Sequence, residues 1–138
     1  MILGGRNTPV LTWGRFKRRI SVDIKGFPRH NPKIEEVVSD WRQYQCDEIA
    51  DLILCMQVLE HLEDEQVKPF AQKIIRLGRL AIISVPYMWE KGMCKYHCQD
   101  PIDLQKLEGW VGCSALKHVI VEEKDKLKRL IALFKGPV

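Results

Sequence analysis

The chain has 138 residues, 46% hydrophobic and 29% charged, with a formal net charge of +4. That balance suits one domain with a substantial core and excludes a disordered or low-complexity chain. No apolar run approaches the roughly 20 residues a membrane crossing needs, no export signal is visible, and the 5 cysteines are irregularly spaced. Reduced thiols, a cytoplasmic location and no membrane partner are therefore expected.

No repeat, linker or long charge block divides the chain, so residues 1–138 are read as one domain. Met1 to Leu3 is the stub of a first strand, and Gly4-Gly5-Arg6-Asn7 follows as a turn with freedom for positive φ. Thr8 suits a helix N-cap and Pro9 a first helical position, so a helix is expected with Val10, Leu11, Trp13 and Phe16 on its apolar side, weakened by Gly14. Arg19 to Asp23 is a second strand, closed by a turn with Gly26 and Pro28, and Lys33 to Asp40 is a third. Ala50 to Met56 is a fourth, with the nearly continuous apolar character of a strand covered on both faces.

Val67, Phe70, Ala71, Ile74 and Ile75 repeat at helical spacing, with Gly78 where a helix C-terminus favours glycine. Leu80 to Val85 is a buried fifth strand. Asp100-Pro101 opens a short helix bearing Leu104, Leu107 and Val111. His118 to Glu123 and Leu127 to Phe134 are the arms of a closing hairpin, so the last strand runs antiparallel to its neighbour. Strand signals alternating with helical ones predict an α/β fold with a mostly parallel sheet.

Three segments sharpen this. Asp51-Leu52-Ile53-Leu54-Cys55-Met56-Gln57-Val58-Leu59-Glu60-His61-Leu62 joins an apolar strand to a Val-Leu-Glu-His-Leu turn, Ile20-Ser21-Val22-Asp23 is a strand ending in an acid, and Ser84-Val85-Pro86 ends another. Together, over nearly the whole chain, they resemble the class I S-adenosylmethionine-dependent methyltransferases. The resemblance implies a Rossmann-like methyltransferase fold, S-adenosylmethionine as cofactor, and methyl transfer to a small-molecule acceptor. It also implies a cofactor site built from Gly4, Gly5, Asp23, Asp40 and Met56. In nucleotide-binding α/β folds an acid about 20 residues past the glycine turn holds the ribose hydroxyls, and an ionised Asp23 can accept two hydrogen bonds from such a diol. The sequence departs from the family at the first motif, where a full strand, an acid and three spaced glycines shrink to Met1 to Asn7. A second reading is therefore a non-catalytic binding or assembly module that keeps the fold.

His61 and His97 are the candidate general bases, with neither assigned. Tyr87, Trp89, Tyr96 and Trp110 are rings able to face a sulfonium or cationic substrate, the alternative being core or lid packing. Cys94-Lys95-Tyr96-His97-Cys98 and Cys113 carry zinc-capable donors at no standard spacing; they are read as a lid loop with incidental thiols, and no metal site is expected. Arg15, Lys17, Arg18 and Arg19 are read as a solvated helix end, not as a nucleic-acid footprint.

Overall fold

The computed structural model describes residues 1–4 and 9–138. Strands β1 (Ile2–Leu3), β2 (Ile20–Asp23), β3 (Glu35–Val38), β4 (Ala50–Met56), β5 (Gly78–Tyr87), β6 (Lys117–Glu122) and β7 (Lys128–Lys135) form one sheet in the order β3-β2-β1-β4-β5-β7-β6. The pairings among β1 to β5 are parallel, and β7 runs antiparallel to both β5 and β6. The strand order reverses between β1 and β4, the point at which open α/β sheets place their ligands. The expected α/β architecture with an antiparallel last strand is what the chain adopts.

Among the described residues there are two α-helices, α1 (Asp64–Leu77) and α2 (Leu104–Val111). The Glu63 N–H donates to the Gln66 side chain at 3.2 Å at the start of α1, and the Asp103 carboxylate caps α2 by accepting from the Lys106 N–H at 2.8 Å. Both helices pack on one face of the sheet. Val67, Phe70, Ala71 and Ile74 of α1 and Leu107 and Val111 of α2 meet Ile53, Cys55, Ala81, Ile83, Leu130 and Phe134 in the main core. Each such aliphatic or aromatic side chain contributes roughly 1.5–3 kcal/mol when fully buried. The other face is thinly covered: Ile2 and Leu54 pack there against Leu11, with Val10 and Ile34 around them.

That thin cover is where expectation and structure part. In place of a helix carrying Val10, Leu11, Trp13 and Phe16, there is a single 3-10 turn, Pro9–Thr12. Only the start of the apolar stripe finds a partner: Leu11 is buried, whereas Trp13 is 76% and Phe16 41% exposed. The Arg19 guanidinium takes the Leu11 and Gly14 carbonyls at 2.8 and 2.7 Å, satisfying groups that a helix would have bonded internally. The Thr8 cap and Gly5 lie outside the described residues.

Two details at β5 differ as well. Gly78 does stand at the C-terminus of α1, donating its N–H to the Ile74 carbonyl, but it is extended at φ −114° and not left-handed, so α1 runs straight into β5. Glycine is needed there for space, since a Cβ would lie 3.1 Å from Ile53 Cγ1. Gly136 then docks on the same corner, where a Cβ would meet the Gly78 carbonyl oxygen at 1.9 Å. Pro86 does not end β5, which continues to Tyr87 beside β7. The pairing with β4 stops at Ser84, so the N–H that proline lacks has no strand partner to lose on that side.

Candidate functional site

The carboxyl ends of β1 to β4 enclose a hollow of about 140 Å³ whose polar rim includes Asp23, Ser39 and Asp40. Gly4 lies at its base in the left-handed conformation (φ +70°), and a Cβ there would meet Val58 Cγ2 at 2.5 Å. Only glycine fits that bend and that closeness. Across the hollow, Asp23 ends β2; its Oδ1 accepts from the Lys25 N–H at 2.9 Å, which orients the carboxylate. Asp40 follows β3, and both its oxygens accept from Arg42, at 3.0 Å from Nε and 2.5 Å from Nη2. Those hydrogen bonds hold the Asp40 carboxyl below its usual range and keep it ionised.

The wall behind Asp40 is built by packing. Trp41 is buried, stacks on Tyr44 at 5.9 Å and leans on Phe70 of α1 at 6.3 Å. Lys73 of the same helix donates to the Trp41 and Tyr44 carbonyls, each at 2.5 Å, and fastens the 40–44 segment to α1. The structure thus brings Gly4, Asp23 and Asp40 to one hollow. The Met56 side chain packs instead with the Ile2, Leu11 and Leu54 cluster, while its carbonyl lies beside Gly4.

A second group of polar residues stands at the ends of β4 and β5. Gln57 has φ +58° just after β4, donates to Ser84 Oγ at 2.9 Å and accepts from Arg129 of β7. Leu59–His61 then forms a 3-10 turn that carries Glu60 inward and His61 to the surface. The Glu60 carboxyl is 1% exposed, and burial pushes its pKa up to about 7, its own backbone N–H and the Arg129 charge pulling the other way. Among the described residues its Oε2 has no hydrogen-bond partner.

The 94–100 loop folds over this turn. The Cys98 N–H donates to the Glu60 carbonyl at 2.7 Å, and Gln99 Nε2 to the Leu62 carbonyl at 2.7 Å. That loop brings in His97, whose ring lies 5.0 Å from the His61 ring and stacks at 5.3 Å on Trp89. The two candidate bases, 36 positions apart in sequence, are therefore neighbours. Glu60 and Asp100, which bonds His97 Nδ1 at 2.7 Å, belong to the same cluster; in sequence Glu60 stands out only as part of the Val-Leu-Glu-His-Leu turn and Asp100 only as a helix opener. The one available signal was an acid inside the otherwise apolar Val58-Leu59 and Leu62 turn.

Of the four aromatic candidates, Trp89 joins this cluster, Trp110 is a buried core residue, and Tyr96 is 67% exposed with Lys95 Nζ 4.9 Å from its ring centre. The basic group is partly spent on structure, Arg18 pairing with Glu35 at 2.9 Å and Arg19 bracing the 3-10 turn. A larger hollow of about 410 Å³ lies between Arg15–Arg18 and the amino-terminal part of β4. Ligands of such sheets gather at the opposite, carboxyl ends of the strands.

No family model and no curated protein matches the sequence. Solved structures do match the fold. The N-methyltransferase NodS from Bradyrhizobium japonicum WM9, in complex with S-adenosyl-L-homocysteine, superposes with a TM-score of 0.75 at 16% identity over 99% of this chain and 76% of its own. The 1,6-didemethyltoxoflavin-N1-methyltransferase of Burkholderia thailandensis gives 0.74 at 14% identity, covering 98% and 70%. An S-adenosylmethionine-dependent methyltransferase from Clostridium acetobutylicum ATCC 824 gives 0.73 at 10%, covering 98% and 82%. The chain has the class I methyltransferase fold.

Proposed function

We propose that the protein binds S-adenosylmethionine at the tips of β1 to β4 and transfers its methyl group to a small-molecule acceptor. The observation that carries this reading is the convergence of a left-handed Gly4 and a strand-end Asp23 on one hollow at the switch point of the sheet. The residues fit such a ligand. Asp23 Oδ2 suits a ribose hydroxyl, Gly4 lets the backbone come close, and the Asp40–Trp41 segment makes a wall for a flat ring. At about 140 Å³ the hollow is smaller than a typical whole-ligand pocket of roughly 300 Å³ or more, so it receives the nucleoside part.

When bound, S-adenosylmethionine supplies an activated methyl group on a sulfonium. The protein's task is then to hold an acceptor in line and exclude water, a contribution from proximity that needs no dedicated base. The 94–100 loop with Trp89 is the cover over that region. The small-molecule acceptor is supported by the substrate, 1,6-didemethyltoxoflavin, that the Burkholderia thailandensis neighbour's name states.

Replacing Asp23 tests the reading. Asp23→Ala is expected to weaken S-adenosylhomocysteine binding by about 1.5–3 kcal/mol, the loss of hydrogen bonds to a charged group, read by calorimetry. Unchanged affinity in a folded variant would remove Asp23 from the site.

A further inference from the structure

The geometry points to a divalent transition-metal site formed by Glu60, His61 and His97. One donor atom from each, a carboxylate oxygen and two ring nitrogens, lies within 4.8 Å of the others. Each histidine has its Nδ1 already engaged. His97 Nδ1 bonds the Asp100 carboxylate at 2.7 Å and His61 Nδ1 bonds the Tyr96 carbonyl at 2.9 Å. A carbonyl can only accept, so His61 Nδ1 carries the proton and Nε2 is left with a lone pair, 4.0 Å from Glu60 Oε1. The Asp100 bond likewise leaves Nε2 as the free nitrogen of His97. Carboxylate or carbonyl partners on the far ring nitrogen are what orient metal-binding histidines and raise their basicity.

A second observation is independent of this. Glu60 is 1% exposed, yet among the described residues its Oε2 has no hydrogen-bond partner, and the same holds for Asp100 Oδ1 behind His97. A buried carboxylate stays ionised only with a positive charge beside it, and otherwise takes up a proton. The Arg129 guanidinium is hydrogen-bonded to Gln57 and Glu123 and acts on Glu60 through its charge alone. A bound cation would compensate the Glu60 charge through Oε1, the oxygen that lies 4.0 Å from His61 Nε2.

Two imidazoles and one carboxylate suit zinc and its first-row neighbours better than magnesium or calcium, which prefer all-oxygen sets. With bonds of about 2.0–2.1 Å, donors in a tetrahedral site lie about 3.3 Å apart. Closing from 4.8 Å therefore takes a small rotation, and His61, 46% exposed, has room to make it. Three protein donors leave at least one coordination position for water or an oxygen or nitrogen ligand. The cysteines of the loop are not required: Cys98 is bound through its backbone N–H, and its Sγ faces the His61 carbonyl at 3.7 Å.

The inference does not depend on methyl transfer and is tested without cofactor. Purified protein, stripped with chelator, is dialysed against micromolar zinc and its metal content measured, and cobalt titration is followed by visible absorption. One ion per chain is expected, with a cobalt spectrum of low coordination number. His61→Ala and Glu60→Gln, checked for folding by circular dichroism, should each lose more affinity than the about 10- to 100-fold expected for Asp100→Asn, which removes only the charge that orients His97. A Cys94→Ser, Cys98→Ser double variant should bind as the parent does. Absence of stoichiometric metal, retention of full affinity in the folded His61→Ala and Glu60→Gln proteins, or loss of binding in the cysteine double variant would each overturn the assignment.

Discussion

Gly4 is the position where a single methyl group does most harm to the proposed cofactor site. It combines φ +70° with a Cβ position 2.5 Å from Val58 Cγ2, so an alanine there meets both backbone strain and a clash. Gly4→Ala is expected to cost about 1–3 kcal/mol of stability, measured by urea denaturation, and to weaken S-adenosylhomocysteine binding as well. Glu60 governs a different observable. Its folded pKa of about 7 stands above its ordinary value of 4.5, so the fold favours the protonated form. Below 4.5 both folded and unfolded chains hold the proton and no penalty applies. Between 4.5 and about 7 the unfolded chain ionises while the folded one does not, so stability of the chelated protein should fall as pH rises through that window and level off above it. Glu60→Gln should flatten this slope in denaturant melts at stepped pH; a parent whose stability rises across the window would contradict the burial of Glu60. Among the thiols, Cys55 is fully buried and burial pushes its pKa upward. It should resist alkylation in the native state while the exposed Cys98 and Cys113 react.

At the scale of elements, the sequence was legible where one physical cause dominates. The 3.6-residue spacing of Val67, Phe70, Ala71 and Ile74 marks α1 because those positions are the ones that bury. The apolar run of β4 and the turn residues Lys124 to Lys126 place the fourth strand and the closing hairpin within a residue or two of their observed bounds. The segment from Val10 to Phe16 misled for the same reason in reverse. Its apolar residues imitate a helix face, but no opposing layer covers Trp13 and Phe16, and Arg19 captures the carbonyls. Periodicity reports a surface that needs burial and says nothing of whether the fold supplies the partner. In α1, Ile74→Ala removes a side chain with no exposed surface and is expected to cost about 2–5 kcal/mol, read by thermal or urea melts. Strand β6 shows the opposite condition: it is the sheet's outer strand, and Val119, Ile120 and Val121 are 44–46% exposed. Ile120→Lys should raise the solubility limit with little change in melting temperature, because a lysine blunts an open strand edge without removing core.

For the molecule as a whole, the sheet order determines which residues can meet. Asp23 ends β2, Asp40 follows the adjacent parallel β3 and Gly4 follows β1 on the other side, so the rim of one hollow follows from the order β3-β2-β1-β4. That much of the site was legible, since strand-end acids and a glycine turn sit at recognisable spacings. The Glu60, His61, His97 and Asp100 cluster was not. It depends on the 94–100 loop folding back over the turn after β4, through hydrogen bonds such as Cys98 N–H to the Glu60 carbonyl that no local pattern encodes. Because the proposed function rests on the cofactor, direct ligand binding is the decisive quantity. Calorimetric titration of the purified wild-type chain with S-adenosylmethionine and S-adenosylhomocysteine, carried to millimolar ligand, measures it. Saturable binding of one ligand per chain is the predicted result; no heat of binding at millimolar ligand from a folded protein would contradict the proposed function and favour a binding or assembly module that keeps the fold.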